Sequence, residues 1–148
     1  MFLSPEEHTF CVPLNRSGSV LASLAGESAR GVWHGTWAIG GWMWGGAEEK
    51  DSISAIHASI DGGATSIDTA AVYGYGRSEE IVAKAIAGKR DKVQILTKYG
   101  LRWDATEGEH FFDWSDEGET KNIYKNARKG SIIKECEDSL RRLQTDVI

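Results

Sequence analysis

A carboxylate, a phenol and an amine recur along this chain at the ends of apolar, β-rich runs. Asp68 lies in TSIDTA, Tyr73 follows five positions on, and Lys98 closes KVQILTK. Brought together, they form a proton-transfer set. Tyrosine has a reference pKa of about 10, so at neutral pH the phenol holds its proton and exchanges it sluggishly. A nearby ammonium favours the phenolate and brings the group closer to the working pH. Lys98 is the candidate ammonium. A carboxylate such as Asp68 would keep that lysine charged and oriented where burial alone would strip its proton. A further patch, Gly35-Thr36-Trp37, ends the first such run, GVWHGTW.

The elements that must position these residues follow from periodicity. GVWHGTW reads as a first strand, and the glycine pairs Gly40-Gly41 and Gly45-Gly46 open its exit loop. Ile53, Ile56 and Ile60 then recur at helical spacing, with Glu48, Glu49 and Asp51 near the start and Gly62 as terminator. TSIDTA is a second strand and AVYGYG a loop. Ser78 is expected to cap SEEIVAKAIAGK, with Glu79 and Glu80 in its first turn. KVQILTK is a third strand. A last helix begins near Ser131 with Ile133, Cys136, Leu140 and Leu143 on one face, and TDVI opens a fourth strand.

Alternating strands and helices argue for a parallel sheet with right-handed crossovers. Neither G-x-G-x-x-G nor G-x-x-x-x-G-K-[ST] occurs, so the dinucleotide and P-loop signatures of open sheets are missing. The expected fold is therefore α/β of the (β/α)8 TIM-barrel type, with only the first three and a half βα units present in 148 residues. In such a barrel the C-terminal strand ends form the active site, and Trp37, Asp68 and Lys98 all fall there. Residues 1–30 form a poorly specified lead-in. The segment from Tyr99 to Gly130 exceeds the usual βα loop of about 2–6 residues. Its mixture of Trp103, Phe111, Phe112 and Trp114 with acids suits a lid or substrate-contacting flap, or equally a mobile insertion with a few anchoring aromatics.

Composition narrows the function classes. A net charge of -5 offers no basic face for nucleic acid. No run is long and apolar enough for a membrane helix, which needs about 20 residues, and Glu6 and Glu7 stand where an export signal needs apolar side chains. Cys11 and Cys136 are far apart and lack metal-ligand spacing, so a reducing, cytoplasmic setting is expected and no metal site.

The runs GTWAIGGWMWGG, IDTAAVYGYGRSEEIVAKAI, ILTKYGL and IIKECEDSLRRLQTDVI together resemble the aldo-keto reductases, over roughly Gly31 to Ile148. The likeness is greatest to the bacterial branch with the GTWAIGGWMWGG opening. The resemblance implies a (β/α)8 barrel that uses NADPH to reduce an aldehyde or ketone to an alcohol, and the reverse. It implies that Tyr73 is the general acid, that Lys98 lowers its pKa, and that Asp68 is their acidic partner. It assigns Gly35, Thr36, Trp37 and Asp68 to the nicotinamide border and the substrate pocket. No metal is required. The family's catalytic histidine follows the fourth strand, and none of His8, His34, His57 or His110 occupies that place. On this reading residues 31–148 are a truncated reductase domain, the N-terminal half of a full-length enzyme, and the isolated chain is not expected to turn over.

The alternative is a non-catalytic half-barrel that acts by pairing with another chain through exposed strand edges, or a cofactor-sensing regulatory subunit. Plainer roles suit the remaining signals. His34 is expected to make a structural hydrogen bond, and Cys136 to pack as a small hydrophobe. Trp42 and Trp44 either line the substrate entrance or anchor their loop. Arg141 and Arg142 suit the dipole at a helix end without a binding role.

Overall fold

The structure, a computed structural model, describes residues 11–13, 32–41, 45, 47–116 and 118–148. Its strands are β1 (Cys11–Pro13), β2 (Val32–Gly35), β3 (Ala64–Asp68), β4 (Gln94–Tyr99), β5 (Leu101–Arg102), β6 (Glu109–Asp116) and β7 (Glu119–Lys125). Its helices are α1 (Glu49–Asp61), α2 (Arg77–Ile86) and α3 (Lys129–Leu143). The sheet that carries the candidate residues runs β1-β4-β3-β2, and every pairing in it is parallel. Gly35 stands opposite Asp68, and Asp68 opposite Leu96, so the strand ends meet at one rim.

The helices form where the periodic isoleucines and the first-turn acids predict. In α1, Glu49 and Asp51 occupy the first turn, Ile56 is fully buried, and Gly62 closes the C-terminus through its N–H to the Ala58 carbonyl. Helix α2 buries Ile81, Val82, Ala85 and Ile86 against the sheet. His57 ties the two helices together, donating to the Ala85 carbonyl at 2.7 Å. One core cluster lies between these helices, α3 and the sheet, and includes Ile56, Ile67, Ile81, Ile95, Leu143 and Ile148. It is the apolar floor beneath the strand ends.

Three local expectations are corrected. Ser78 does not cap α2; the cap is Gly76 at φ 99, a left-handed conformation open to glycine, and Ser78 lies inside the helix with its hydroxyl turned into the protein. Ile133 is 48% exposed, because the inward face of α3 is instead Ser131, Glu135, Cys136, Ser139 and Leu143, whose polar members find partners. TDVI forms no strand. The β4 edge from Thr97 to Tyr99 is occupied by β1, and Arg90 holds the segment instead, through Thr145 Oγ1 at 3.0 Å and the Val147 carbonyl at 2.6 Å. The remainder of the N-terminal lead-in, with Trp42 and Trp44, lies outside the described residues.

The long segment after β4 is an antiparallel ribbon, ordered β5-β7-β6, and Gly118 at φ 84 turns its hairpin. Leu101 and Ile123 join Ala70, Val72 and Tyr73 in a second buried cluster, with Tyr75, Trp103, Phe112 and Trp114 packed against it. Phe111 stays exposed under the Lys125 ammonium. The aromatics that the sequence scatters along this segment thus anchor an ordered element onto the Tyr73 loop.

Candidate active site

Lys98 is the penultimate residue of β4, and its side chain is directed at β3. Its ammonium donates to both Asp68 carboxylate oxygens at 2.9 Å and to the Thr69 carbonyl at 2.7 Å, which uses all three N–H groups. The pair is partly sheltered, at 11% and 23% side-chain exposure. An ammonium held by two carboxylate oxygens and a carbonyl is fixed in direction.

Tyr73 sits above this pair, with its ring centre 5.0 Å from Lys98 Nζ. Trp37 stacks on the same phenol ring, with centroids 5.9 Å apart and planes at 12°. The phenol is 8% exposed and the indole 45%. A flat aromatic wall therefore opens to solvent beside a sheltered proton donor and a fixed cation. Thr36 locks the two strand ends together, since its N–H and its hydroxyl both donate to the Asp68 carbonyl, at 3.0 and 3.1 Å. A Cβ at Gly35 would meet no described residue within 4 Å.

Two glycines hold the Tyr73 loop in place. A Cβ on Gly40 would lie 2.6 Å from the Tyr73 carbonyl carbon, and one on Gly74 2.1 Å from the Gly40 oxygen. The exit loop of β2 and the loop carrying the phenol touch backbone to backbone, an approach only glycine permits.

The sequence-predicted residues Trp37, Asp68, Tyr73 and Lys98 are thus brought together, with Gly35 and Thr36 at the same rim. His34 lies in β2, where Nδ1 shares a 2.7 Å hydrogen bond with Ser59 and burial lowers its pKa. That is the structural bond expected of it. Among the described residues no group of three His, Cys, Asp or Glu side chains could hold a metal ion. No described helix is long and apolar enough to cross a membrane.

Other functional candidates escaped sequence reasoning. Glu79 is fully buried and accepts hydrogen bonds from Thr97 Oγ1 and Arg142 Nε, each at 2.6 Å. Arg142 is therefore more than a complement to a helix dipole, and its guanidinium also lies 5.8 Å from the Trp103 ring. Glu135 accepts from the Gly100 N–H and the Ser131 hydroxyl, both at 2.7 Å, two residues beyond Lys98. Burial raises the Glu135 pKa against those hydrogen bonds and the Arg102 charge. Arg102 in turn grips Asp104 through Nε at 2.6 Å and Nη2 at 3.0 Å. Burial pushes the Asp104 carboxyl up, but the arginine's hydrogen bond and charge prevail and hold it low. A signal was present for Thr97 and its counterparts: a threonine stands at each strand end, as Thr36, Thr69 and Thr97.

Parallel strands with crossing helices define a part of a (β/α)8 barrel, and the acid, the phenol and the amine gather at its C-terminal rim. The sequence model of the aldo/keto reductase family matches residues 32–148, and the chain belongs to that family. It is similar to Aldo-keto reductase YhdN of Bacillus subtilis, 46% identical over 125 residues, which cover 83% of this chain and 33% of that protein. It is also similar to Methylglyoxal reductase YeaE of Escherichia coli, 32% identical over 117 residues, covering 79% of this chain and 32% of that one. Among solved structures it resembles the glycerol dehydrogenase AKR11B4 from Gluconobacter oxydans, with 47% identity and a TM-score of 0.61 over 76% of this chain and 32% of that one. An aldo-keto reductase from Klebsiella pneumoniae in complex with NADPH matches with 35% identity and a TM-score of 0.52, over 76% and 30% of the two chains. The chain spans about a third of the length of these relatives.

Proposed function

We propose that the chain carries the proton-donating part of an NADPH-dependent reductase that converts a small aldehyde or ketone to an alcohol, and the reverse. The observation that carries this reading is the Tyr73 phenol ring in contact with both the Trp37 ring and a Lys98 ammonium that Asp68 holds in place. Tyr73 is the general acid, Lys98 its electrostatic partner, and Asp68 the anchor of Lys98. Gly35, Thr36, Trp37 and Asp68 border the cofactor. This donor set suits carbonyl reduction, which needs one proton donor and a stabilised negative charge. The half-exposed Trp37 indole, stacked on the Tyr73 ring, suits a flat ring. The solved relative in complex with NADPH points to the same cofactor.

NADPH, when bound, supplies the hydride that adds to the carbonyl carbon. As the C=O π bond breaks, its electron pair settles on oxygen, and that oxygen takes the Tyr73 proton. The Lys98 ammonium, 5.0 Å from the centre of the same ring and already held by Asp68 and Thr69, acts on the negative charge left on the phenol through its field and needs no reorganisation. In the reverse direction Tyr73 accepts the proton of the alcohol.

The test is Tyr73→Phe in a polypeptide of the relatives' length that contains this chain, assayed with methylglyoxal and NADPH. Turnover should fall by about 10²–10⁴-fold, the usual share of a general acid, while NADPH binding by fluorescence stays near wild type. Undiminished turnover would sink the role of Tyr73. A second reading, pairing with another chain and no catalysis, is favoured by β2, which has β3 on one side and no strand on the other among the described residues.

A further inference from the structure

Ser78 and Glu79 open α2 directly behind the three strand ends, and neither is needed as a helix cap. The Ser78 hydroxyl donates to Thr36 Oγ1 at 2.7 Å and lies 3.0 Å from Thr69 Oγ1. Glu79 takes the third threonine, accepting from Thr97 Oγ1 at 2.6 Å. Each threonine adjoins a candidate site residue: Thr36 precedes Trp37, Thr69 follows Asp68, and Thr97 precedes Lys98. Thr36, Thr69, Ser78 and Glu79 are fully buried and Thr97 is 2% exposed. A carboxylate sealed off in this way needs a counter-charge, and Arg142 supplies it from α3 at 2.6 Å.

The geometry points to Ser78 and Glu79 as positioning residues, a two-residue clasp that sets the strand ends of β2, β3 and β4 in register so that Asp68, Tyr73 and Lys98 meet. Side chains alternate along a strand, so Thr97, held from behind within β4, aims Lys98 at the rim. The clasp reaches the Lys98 ammonium by two short paths. Through Thr97 it holds the residue before Lys98, and through Thr69 it holds the residue whose carbonyl accepts from Lys98 at 2.7 Å. It also holds Thr36, whose N–H and hydroxyl grip the Asp68 carbonyl. Such a junction specifies one arrangement of a buried polar network, because partial satisfaction is costly.

This inference rests on the reductase reading for what the strand ends do, but not for whether the clasp holds them. Ser78→Ala and Glu79→Gln are therefore read in two ways, in the polypeptide of full family length and at a temperature where circular dichroism shows both variants folded. The first is turnover of methylglyoxal with NADPH. kcat should fall by about tenfold or more while KM and the NADPH Kd change by less than about twofold, the pattern of a misplaced reacting group. The second needs no activity: pulsed acetylation followed by peptide mass spectrometry, with the exposed Lys84 as internal reference. Lys98 should be modified several-fold faster in the variants than in the wild type, with Lys84 unchanged. Wild-type Lys98 labelling in both folded variants overturns the clasp, as does unchanged kcat. A wild-type protein that never oxidises NADPH overturns the reductase reading instead, and the labelling still decides the clasp. Should Glu79→Gln fail to fold, the labelling and kcat of Ser78→Ala decide the clasp alone.

Discussion

Glu135 shows how much one buried group can say at the scale of the residue. Its carboxylate is 4% exposed and holds the Gly100 N–H and the Ser131 hydroxyl, just beyond Lys98. Burial favours the uncharged acid, so the folded state binds the Glu135 proton more tightly than the unfolded chain does. The stability this contributes is fully present below the unfolded value, near 4.5, and is lost as pH rises through the higher folded value. Glu135→Gln should remove that dependence. Denaturant unfolding at acid and near-neutral pH should show the wild type losing stability relative to the variant as pH rises. A difference that stays constant across the range would show that Glu135 does not titrate as its surroundings dictate.

At the scale of the element, α3 separates what helical spacing implies from what packing decides. Ile133 and Leu143 share an apolar stripe in the sequence, yet Leu143 is 1% exposed and Ile133 48%. Leu143→Ala leaves a cavity in the main core and should cost about 2–5 kcal/mol. Ile133→Ala removes a half-open side chain and should fall within about 0.5 kcal/mol of wild type. Urea unfolding of the two variants checks the contrast, and equal losses would place Ile133 against a partner. The same helix supplies Arg142 to Glu79. Removing only one member of that pair leaves an uncompensated buried charge, a change that typically costs about 3–5 kcal/mol.

At the scale of the whole molecule, the paired reading proposed above turns on the β2 edge. Val32 is 64% exposed at its start, and no described strand pairs with its outer side. A strand edge left without a partner is a template for another chain. On the paired reading the 148-residue chain should sediment as more than one copy, with the average mass falling on dilution, and Val32→Lys should shift it toward 16.2 kDa. A single species of 16.2 kDa at every concentration would show the edge to be covered and would remove the observation favouring the paired, non-catalytic reading.

Much of this is legible in the sequence. The isoleucine spacing of α1, the acids at the start of α2 and the order of Asp68, Tyr73 and Lys98 are local patterns, and local patterns survive folding because backbone geometry alone generates them. Apolar β-rich runs separated by helices suffice for a parallel sheet, and a parallel sheet places strand ends on one rim. Sequence could not decide which polar side chains would be sealed in pairs. Ser78 reads as a cap and Arg142 as a complement to a helix dipole, and no local pattern singles out Glu135. Each instead meets a partner remote in sequence: Thr36 and Thr69, Glu79, and the Gly100 N–H. Nor could it decide that the acids and aromatics after Lys98 form a ribbon seated on the Tyr73 loop. Those outcomes depend on desolvation and on contacts between distant segments, which exist only once the chain has packed.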